Sequence, residues 1–330
     1  MPVTLGRVMR LTLAVILVLA GGGPARAGEA VAYRLKWLFN SSVAGDLYAW
    51  DRGVFAAQGL EVTVKAGGPE RDAIKELELN QAQFGVASAD QVLRALDKGA
   101  RVAVVAQLFQ INPLQWIYRA DRGPINALAR LRGLTIGVTY GGNDETIMRT
   151  LLAMAGLGER DVTLFSVRYD FTPFYQNRVD IWPMYRNSQG IVIAQRMQAE
   201  GETVRFFNPA DFGVRFVANS VVTRQQLVDE RPDLVRRFVR ALLAGWREAM
   251  AEENQALALA TIARHDRETP PDLMAPQLAE TRLLVRPAPD FPVGRIDVAA
   301  WRQTEAIMVQ QGLIGGPVNV TERLFPPEDF

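Results

Sequence analysis

One stretch decides the fold: Leu35-Lys-Trp-Leu-Phe-Asn-Ser-Ser-Val-Ala-Gly-Asp-Leu-Tyr-Ala-Trp50, followed by Asp51-Arg-Gly-Val-Phe-Ala-Ala-Gln-Gly-Leu-Glu-Val-Thr-Val64. Its pattern predicts a strand, a polar loop, a helix, a tight turn and a second strand. Aromatic and amide side chains follow the first strand directly, and open α/β sheets bind ligands at the carboxyl ends of their strands. We therefore expect ligand contacts from Trp37, Phe39, Asn40 and Tyr48.

The residues before this stretch have the three regions of a secretory signal peptide. Residues 1–10 contain two arginines and no acidic residue, residues 11–20 are an apolar run interrupted only by Thr12, and Ala25-Arg-Ala27 has the form of a cleavage site. The apolar run is much shorter than the roughly 20 residues that a membrane span needs. The sequence predicts a signal peptide over 1–27 and an exported mature chain from Gly28, with an uncleaved anchor as the alternative.

Composition limits both the architecture and the chemistry. About 300 mature residues exceed what one hydrophobic core usually serves, so two lobes are expected. Lys and Arg (37) nearly balance Asp and Glu (36), which gives no indication of nucleic acid as a partner. The chain has no cysteine and one histidine, which excludes disulfides, thiol catalysis and a multi-histidine metal site. We expect no cofactor, and we expect His265 to be a solvated residue at a helix end.

Strand and helix patterns alternate along the chain, as in parallel sheets with crossover helices. The predicted strands are Tyr33–Trp37, Glu61–Lys65, Phe84–Ala87, Val102–Gln107, Thr135–Val138, Asp161–Val167 and Val179–Trp182. The predicted helices include Asp72–Asn80, Gln91–Lys98 and Thr146–Ala155. A further helix begins at Pro232 and carries an apolar stripe through Trp246. That stripe favours core packing over an aromatic ligand site.

Two extended, β-prone segments look like crossings between lobes: Asn112–Arg119 and Asp211–Val217. They flank a middle section that has its own alternating pattern. The sequence therefore predicts a discontinuous first lobe (28–117 and 213–330) with a second lobe (118–212) inserted into it. A ligand would lie between the lobes, since pockets tend to form at domain interfaces.

These segments together resemble the solute-binding proteins of the NMT1/THI5-like group, which includes receptors for the thiamine pyrimidine precursor. The opening resembles the group's W-x-x-N loop and G-x-F-x-x-x-G-L-x-V turn, here Trp37, Asn40, Gly53, Phe55, Gly59, Leu60 and Val62. Further similar segments are Asn80–Asp90, Arg132–Val138, Asp211–Val214, Pro232–Trp246, and Trp301 with Gly312–Ile314. The resemblance implies a type II periplasmic-binding-protein fold, with two lobes, mixed sheets and a two-segment hinge. It also implies a periplasmic location.

The chain departs from the group's pattern at three places. Asn80 and Gln83 replace a glycine and an aspartate before the third strand. A neutral amide, Gln189, stands where the group has an acidic residue that could pair with a pyrimidine amino group. The cysteine-rich motif of the eukaryotic synthases is absent. The thiamine precursor is therefore not assumed as the ligand, and pyrimidine synthesis is not expected.

Further candidate ligand contacts lie at the ends of other predicted strands. In the first lobe these are Ser88 and Asp90. In the second lobe Tyr140, Gly142 and Asn143 lie at a strand-to-helix junction, where Asn143 or Asp144 could cap a helix that starts near Glu145. Free backbone N–H groups at such a junction suit an anion or a carbonyl oxygen. The alternative is an ordinary glycine turn, and the acidic residues in the first helical turn argue against an anion there.

The segment from Phe165 to Gln189 is rich in aromatic residues. Tyr169, Trp182 and Tyr185 could contribute rings to the cleft, while Gln115 and Asn187 could orient a ligand through their amides. Rings on both sides suit a flat, conjugated ligand. A cationic ligand could use the same rings, with countercharge from Asp46, Asp90 or Asp170. A neutral heterocycle is the preferred hypothesis.

The leading functional hypothesis is the periplasmic receptor of an ABC importer, with a permease and an ATPase as partners. It would bind a small flat heterocycle (a pyrimidine or thiamine-precursor-like compound, a nucleobase or a flavin) by lobe closure, as a monomer. A receptor for an alkylsulfonate, nitrate or similar anion is the alternative, with Arg168 or Arg186 in the cleft. An exported enzyme is the alternative of another class, although the sequence has no convincing serine–histidine pair or Walker loop.

Overall fold

The computed structural model describes Met1 and residues 28–68, 71–168 and 170–330. Apart from Met1, the predicted signal peptide lies outside the described residues. The strands are β1 (Glu29–Arg34), β2 (Leu60–Lys65), β3 (Phe84–Ala87), β4 (Val102–Gln107), β5 (Leu114–Arg119), β6 (Thr135–Val138), β7 (Thr163–Ser166), β8 (Ile181–Tyr185), β9 (Val204–Phe207) and β10 (Ser220–Arg224). The helices are α1 (Ala44–Asp51), α2 (Ala73–Glu78), α3 (Ala89–Asp97), α4 (Asn143–Met154), α5 (Thr172–Tyr175), α6 (Gln189–Ala199), α7 (Gln225–Glu230), α8 (Pro232–Met250), α9 (Gln255–His265), α10 (Pro271–Val285) and α11 (Val298–Gln310).

The strands form two five-stranded sheets with the same plan. The first has the order β2-β1-β3-β10-β4 and the second has the order β7-β6-β8-β5-β9. In the first sheet β1 is parallel to β2 and β3, and β10 is antiparallel to β3 and β4. In the second sheet β6 is parallel to β7 and β8, and β5 is antiparallel to β8 and β9. The predicted α/β class with two mixed sheets is confirmed.

The chain passes between the sheets twice, and we call the elements around the first and second sheets the first and second lobe. Strand β5 pairs with β8 and β9, so the first crossing precedes Leu114 and the predicted lobe limit at 117 is too late. The return segment is not extended throughout, because Pro209–Phe212 form a 3₁₀ turn that ends at the left-handed Gly213. The other predicted lobe limits stay a prediction.

The predicted strand bounds match the observed bounds for three strands. The bounds of β3, β4 and β6 are those predicted, and β3 and β4 are buried throughout. The predicted first strand, Tyr33–Trp37, begins and ends too late, because β1 runs from Glu29 to Arg34. Beyond it, the carbonyls of Lys36 and Trp37 accept hydrogen bonds from the N–H groups of Gly68 (3.2 Å) and Gly67 (2.8 Å). Trp37 therefore lies in the loop that follows β1.

Helix α8 packs its apolar stripe into the first lobe, as predicted. The Phe238 ring stacks on Phe84 with a centroid distance of 3.7 Å, and Trp246 is fully buried. Helix α1 crosses α8 so closely that a Cβ on Gly45 would lie 2.1 Å from the Trp246 ring. This contact fixes α1, and with it the loop before α1, against the core. None of the described helices combines the length and apolar character needed to span a membrane.

Candidate ligand-binding cleft

Two cavities lie side by side between the lobes. The first cavity has a volume of about 310 Å³ and the second about 510 Å³. They form one cleft because they share Trp37, Leu114, Asn143, Phe171, Tyr185 and Gln189 as lining residues. The first lobe adds Lys36, Asn40, Ser42, Ser88, Phe109, Thr269 and Gln277 to the wall of the first cavity. The cleft is thus bounded by aromatic and amide side chains from both lobes.

The first-lobe wall is built by two short turns that follow β1 and β3. The Oδ1 atom of Asn40 accepts a hydrogen bond from the Ser42 N–H (2.9 Å) and caps a 3₁₀ turn. Ser88 caps α3, and its own N–H is bonded to the Gln91 side chain (3.1 Å). Because these side chains are held by their own backbone turns, Asn40 and Ser88 lie at fixed positions on the cleft wall.

Two predicted contacts from the opening stretch lie outside the cleft. Tyr48 is only 6% exposed and belongs to the first-lobe core. Phe39 packs beside Trp50 (6.3 Å between centroids) and His265 (5.7 Å). His265 ends α9, as predicted, but it is half-buried and stacks on Trp50 at 5.1 Å, so the expectation of a solvated residue was wrong.

A hydrogen bond crosses the cleft where α3 faces α4. The Asn143 Nδ2 group donates to Asp90 Oδ1 at 2.9 Å, which joins the second lobe to the first. Asn143 lines both cavities, and Gly142, the N-cap of α4, lines the second. Asp90 lines neither cavity, and its carboxylate accepts the hydrogen bond from Asn143 instead. Tyr140 is 55% exposed and also lies outside the cleft.

The turn before α4 is tied by acidic side chains of the helix itself. The Asp144 carboxylate accepts the Thr139 N–H, and the Glu145 carboxylate accepts the Gly141 N–H (2.7 Å). Helix α4 begins at Asn143 rather than near Glu145. Burial raises the pKa of Asp144, and the hydrogen bond from Thr139 partly offsets that rise. These bonds favour the alternative of an ordinary glycine turn over an anion site at this helix end.

The aromatic wall of the second lobe comes from Phe171, Trp182 and Tyr185. Trp182 is 1% exposed and packs edge-on to Phe171 (5.9 Å between centroids), so it borders the second cavity from within the core. Tyr185 is exposed and lines both cavities. Gln115 is fully buried and lies outside the cleft, and its amide has no hydrogen-bond partner among the described residues. Tyr169 lies outside the described residues.

The opposite flank of the cleft carries a second set of contacts between the lobes. Arg186 pairs with Glu280 on α10 at 2.7 Å, and the Asn187 Nδ2 group donates to the Thr281 hydroxyl at 2.9 Å. Asn187 is 2% exposed and lines the first cavity. Arg186 is engaged outside the cleft, whereas Arg168 lines the second cavity. Of the two arginines considered for an anion, only Arg168 is placed to contact one.

Acidic countercharge for a cation is sparse in the described part of the cleft. Asp46 is buried in the first-lobe core, where the Tyr33 hydroxyl donates to its Oδ1 at 2.6 Å. Burial raises the pKa of Asp46 to about 7, partly offset by that hydrogen bond. Asp170 is exposed, and hydrogen bonds from Thr172 lower its pKa. None of the predicted countercharges Asp46, Asp90 and Asp170 lines either cavity.

Several lining residues were not predicted as ligand contacts. Asn112 and Val217 lie on the two crossings, and their place in the proposed hinge could have identified them. The Asn112 amide ties the crossings together, since its Nδ2 donates to the Phe216 carbonyl (2.8 Å) and its Oδ1 accepts the Leu114 N–H (2.9 Å). Gln277, on α10, reaches the cavity only through tertiary packing. No local pattern marks it.

Comparisons with known proteins agree with this geometry. The two-lobed fold is that of periplasmic binding proteins. The periplasmic aliphatic sulphonate binding protein SsuA from Escherichia coli aligns with this chain with a TM-score of 0.71 and 15% sequence identity. The alignment covers 90% of this chain and 92% of SsuA. The sequence model of the family described as "NMT1/THI5 like" matches residues 40–256. The chain therefore belongs to that family. The riboflavin-binding protein RibY from Chloroflexus aurantiacus is 25% identical over 309 residues, which are 89% of this chain and 84% of RibY. A formylaminopyrimidine-binding protein from Halalkalibacterium halodurans is 24% identical over 280 residues, 83% of each chain.

Proposed function

We propose that this protein is the solute-binding component of an ABC importer and that it captures a small, flat, uncharged heterocycle by closing its lobes. The observation that carries the proposal is the cleft itself, with Trp37 on one lobe and Phe171 and Tyr185 on the other. Ring faces stabilise a planar ligand by stacking. A few amide groups among apolar walls are typical of sites that fix a ligand's orientation.

The size of the cleft favours a ligand with more than one ring. The first cavity, about 310 Å³, adjoins the second, about 510 Å³, and pockets of about 300–1,000 Å³ hold compounds of drug size. A flavin uses that space better than a single pyrimidine ring. The similarity to a riboflavin-binding and a formylaminopyrimidine-binding protein supports a heterocycle of this general kind.

The charges on the cleft wall favour a neutral ligand. Asp144, the one acidic lining residue among those described, is buried and bonded to the Thr139 N–H. Lys36 and Arg168 line different cavities. An alkylsulfonate or nitrate is the alternative ligand, and it would depend on Arg168. The names of the curated relatives support a receptor rather than an enzyme.

A periplasmic receptor delivers its ligand to a membrane permease that an ATPase drives. The signal-peptide pattern and the similarity to a periplasmic binding protein support the periplasm as the location. We expect the mature chain to act as a monomer, so that both lobes are free to contact the permease.

A thermal-shift panel on the mature protein tests this function. The panel contains pyrimidines, purines, flavins, alkylsulfonates and nitrate. A ligand at 100 times its dissociation constant should add about 2.7 kcal/mol to the free energy of unfolding. We expect stabilisation by at least one heterocycle. Stabilisation by sulfonate or nitrate alone would contradict the proposal.

A further inference from the structure

The amide of Asn187 is oriented by a hydrogen-bond relay that ends at a backbone carbonyl. Its Nδ2 group donates to the Thr281 hydroxyl at 2.9 Å. That hydroxyl donates in turn to the Gln277 carbonyl oxygen at 2.8 Å. Asn187 and Thr281 are both buried, so the relay is shielded from bulk water.

The relay allows only one orientation of the amide. A hydroxyl has a single hydrogen, and that of Thr281 is used by the Gln277 carbonyl, so Thr281 can only accept at its other contact. Asn187 must therefore direct Nδ2 towards Thr281. Its Oδ1 accepts no hydrogen bond from the described residues, and Asn187 lines the first cavity. The atom left for a ligand is an acceptor.

A neighbouring amide supplies the opposite polarity. The Oε1 atom of Gln189 accepts hydrogen bonds from the Tyr185 N–H (2.9 Å) and the Ser188 hydroxyl (3.0 Å). Its Nε2 group is then the donor left for a ligand, and Gln189 lines both cavities. The wall of the first cavity thus offers one oriented acceptor and one oriented donor.

The relay also depends on the position of the lobes. Asn187 follows β8 in the second lobe, while Thr281 and Gln277 belong to α10 in the first lobe. The ion pair between Arg186 and Glu280 (2.7 Å) spans the cleft beside it. If the lobes separate, Asn187 loses Thr281 and its amide is free to rotate. The acceptor is therefore fixed only when the cleft is closed.

We infer that Asn187 determines specificity by requiring an N–H donor on the ligand ring, and that Thr281 is the positioning residue that sets this requirement. The inference rests on the proposed function and names the chemistry of its ligand. The ring edge would carry an N–H group beside an acceptor, as in a cyclic lactam or an amino-substituted ring. A ring methylated at that nitrogen would cover Oδ1 of Asn187 without donating a hydrogen bond to it, which is costly.

Paired ligands that differ by methylation at nitrogen test this requirement by calorimetric titration. Riboflavin and 3-methylriboflavin represent the lactam edge, and adenine and N6,N6-dimethyladenine represent the amino edge. For the pair that binds the wild-type protein, methylation should weaken binding about ten- to a hundred-fold, the range expected when a buried acceptor is left unpaired. Equal binding of both members would overturn the inference while leaving the proposed function intact. If no heterocycle in the thermal-shift panel binds, both the inference about Asn187 and the proposed function are overturned.

Two substitutions separate orientation of the amide from simple steric exclusion of the methyl group. Thr281→Val keeps the side-chain shape but removes the hydroxyl, so the ratio of the two dissociation constants should fall at least about ten-fold. Thr281→Ser is the matched control, because it keeps the hydroxyl and should keep the wild-type ratio. A Thr281→Val protein that binds both ligands more weakly by the same factor would show that Thr281 has only a structural role. The wild-type comparison stands even if a variant folds poorly.

Discussion

Replacing Asp46 by asparagine should change how the stability of this protein depends on pH. Asp46 lies in the first-lobe core, 1% exposed, and its Oδ1 accepts the Tyr33 hydroxyl at 2.6 Å. Burial raises the pKa of Asp46 from 3.8 to about 7, with a smaller opposing effect from the Tyr33 hydrogen bond. Between these two values the folded protein keeps a proton that the unfolded chain releases.

The difference between the pKa of Asp46 in the folded protein and in the unfolded chain determines how stability changes with pH. A raised pKa in the folded state gives stability that is fully present below the pKa of the unfolded chain and is lost as the pH rises through the pKa of the folded state. For Asp46 the loss therefore runs from about pH 3.8 to about pH 7. The difference of roughly 3 pH units corresponds to about 4 kcal/mol, at about 1.4 kcal/mol for each unit. An asparagine side chain does not titrate, so Asp46→Asn removes this loss.

Urea denaturation of both proteins at several pH values between about 4 and 8 measures the effect. Contributions from all other titrating groups cancel in the difference between variant and wild type, provided that they are unaffected by the substitution. The stability of Asp46→Asn relative to wild type should rise by about 4 kcal/mol between pH 4 and pH 8. Parallel stability curves for the two proteins would refute the assignment of a buried, protonatable carboxyl.

Three other substitutions test the cleft and the core. Trp37→Ala should weaken heterocycle binding in calorimetric titration but leave the urea midpoint nearly unchanged, and unaltered affinity would remove Trp37 from the site. Asn143→Ala breaks the bond to Asp90 between the lobes, so ligand affinity should fall by about 0.5–1.5 kcal/mol; an unchanged dissociation constant would show that this bond does not help to hold the cleft closed. Gly45→Ala places a Cβ 2.1 Å from an α8 ring and should cost about 1–3 kcal/mol of stability by overpacking. Its control, Gly158→Ala, meets nothing within 4 Å and should be neutral, so equal effects would contradict the packing argument.

The sequence predicted the fold well where burial leaves a local pattern. Strands β3 and β4 are buried on both faces, so each is a continuous apolar run that ends at polar residues. Strand β10 was not predicted as part of the first sheet. It is short and lies antiparallel between β3 and β4, although more than 100 residues separate it from them in the chain. Such pairing depends on tertiary folding rather than on local pattern.

The cleft was only partly predictable for a similar reason. Trp37 and Asn40 could be proposed because they follow a strand directly. Phe39 lies between them in the chain but turns to Trp50 and His265, and residue spacing in an irregular loop does not specify that direction. Gln277 comes from a helix far along the chain. The pairing of Arg186 with Glu280 likewise depends on how the lobes meet.

Calorimetric titration of the mature wild-type protein with riboflavin, with and without a large excess of ethanesulfonate, tests the central claim most directly. The cleft walls predict saturable binding of one riboflavin per chain, because rings from both lobes and oriented amides face the first cavity. They also predict that ethanesulfonate does not compete with riboflavin. The two basic lining residues among those described, Lys36 and Arg168, line different cavities and so do not converge on one anion. Absence of riboflavin binding together with saturable binding of ethanesulfonate would contradict the account.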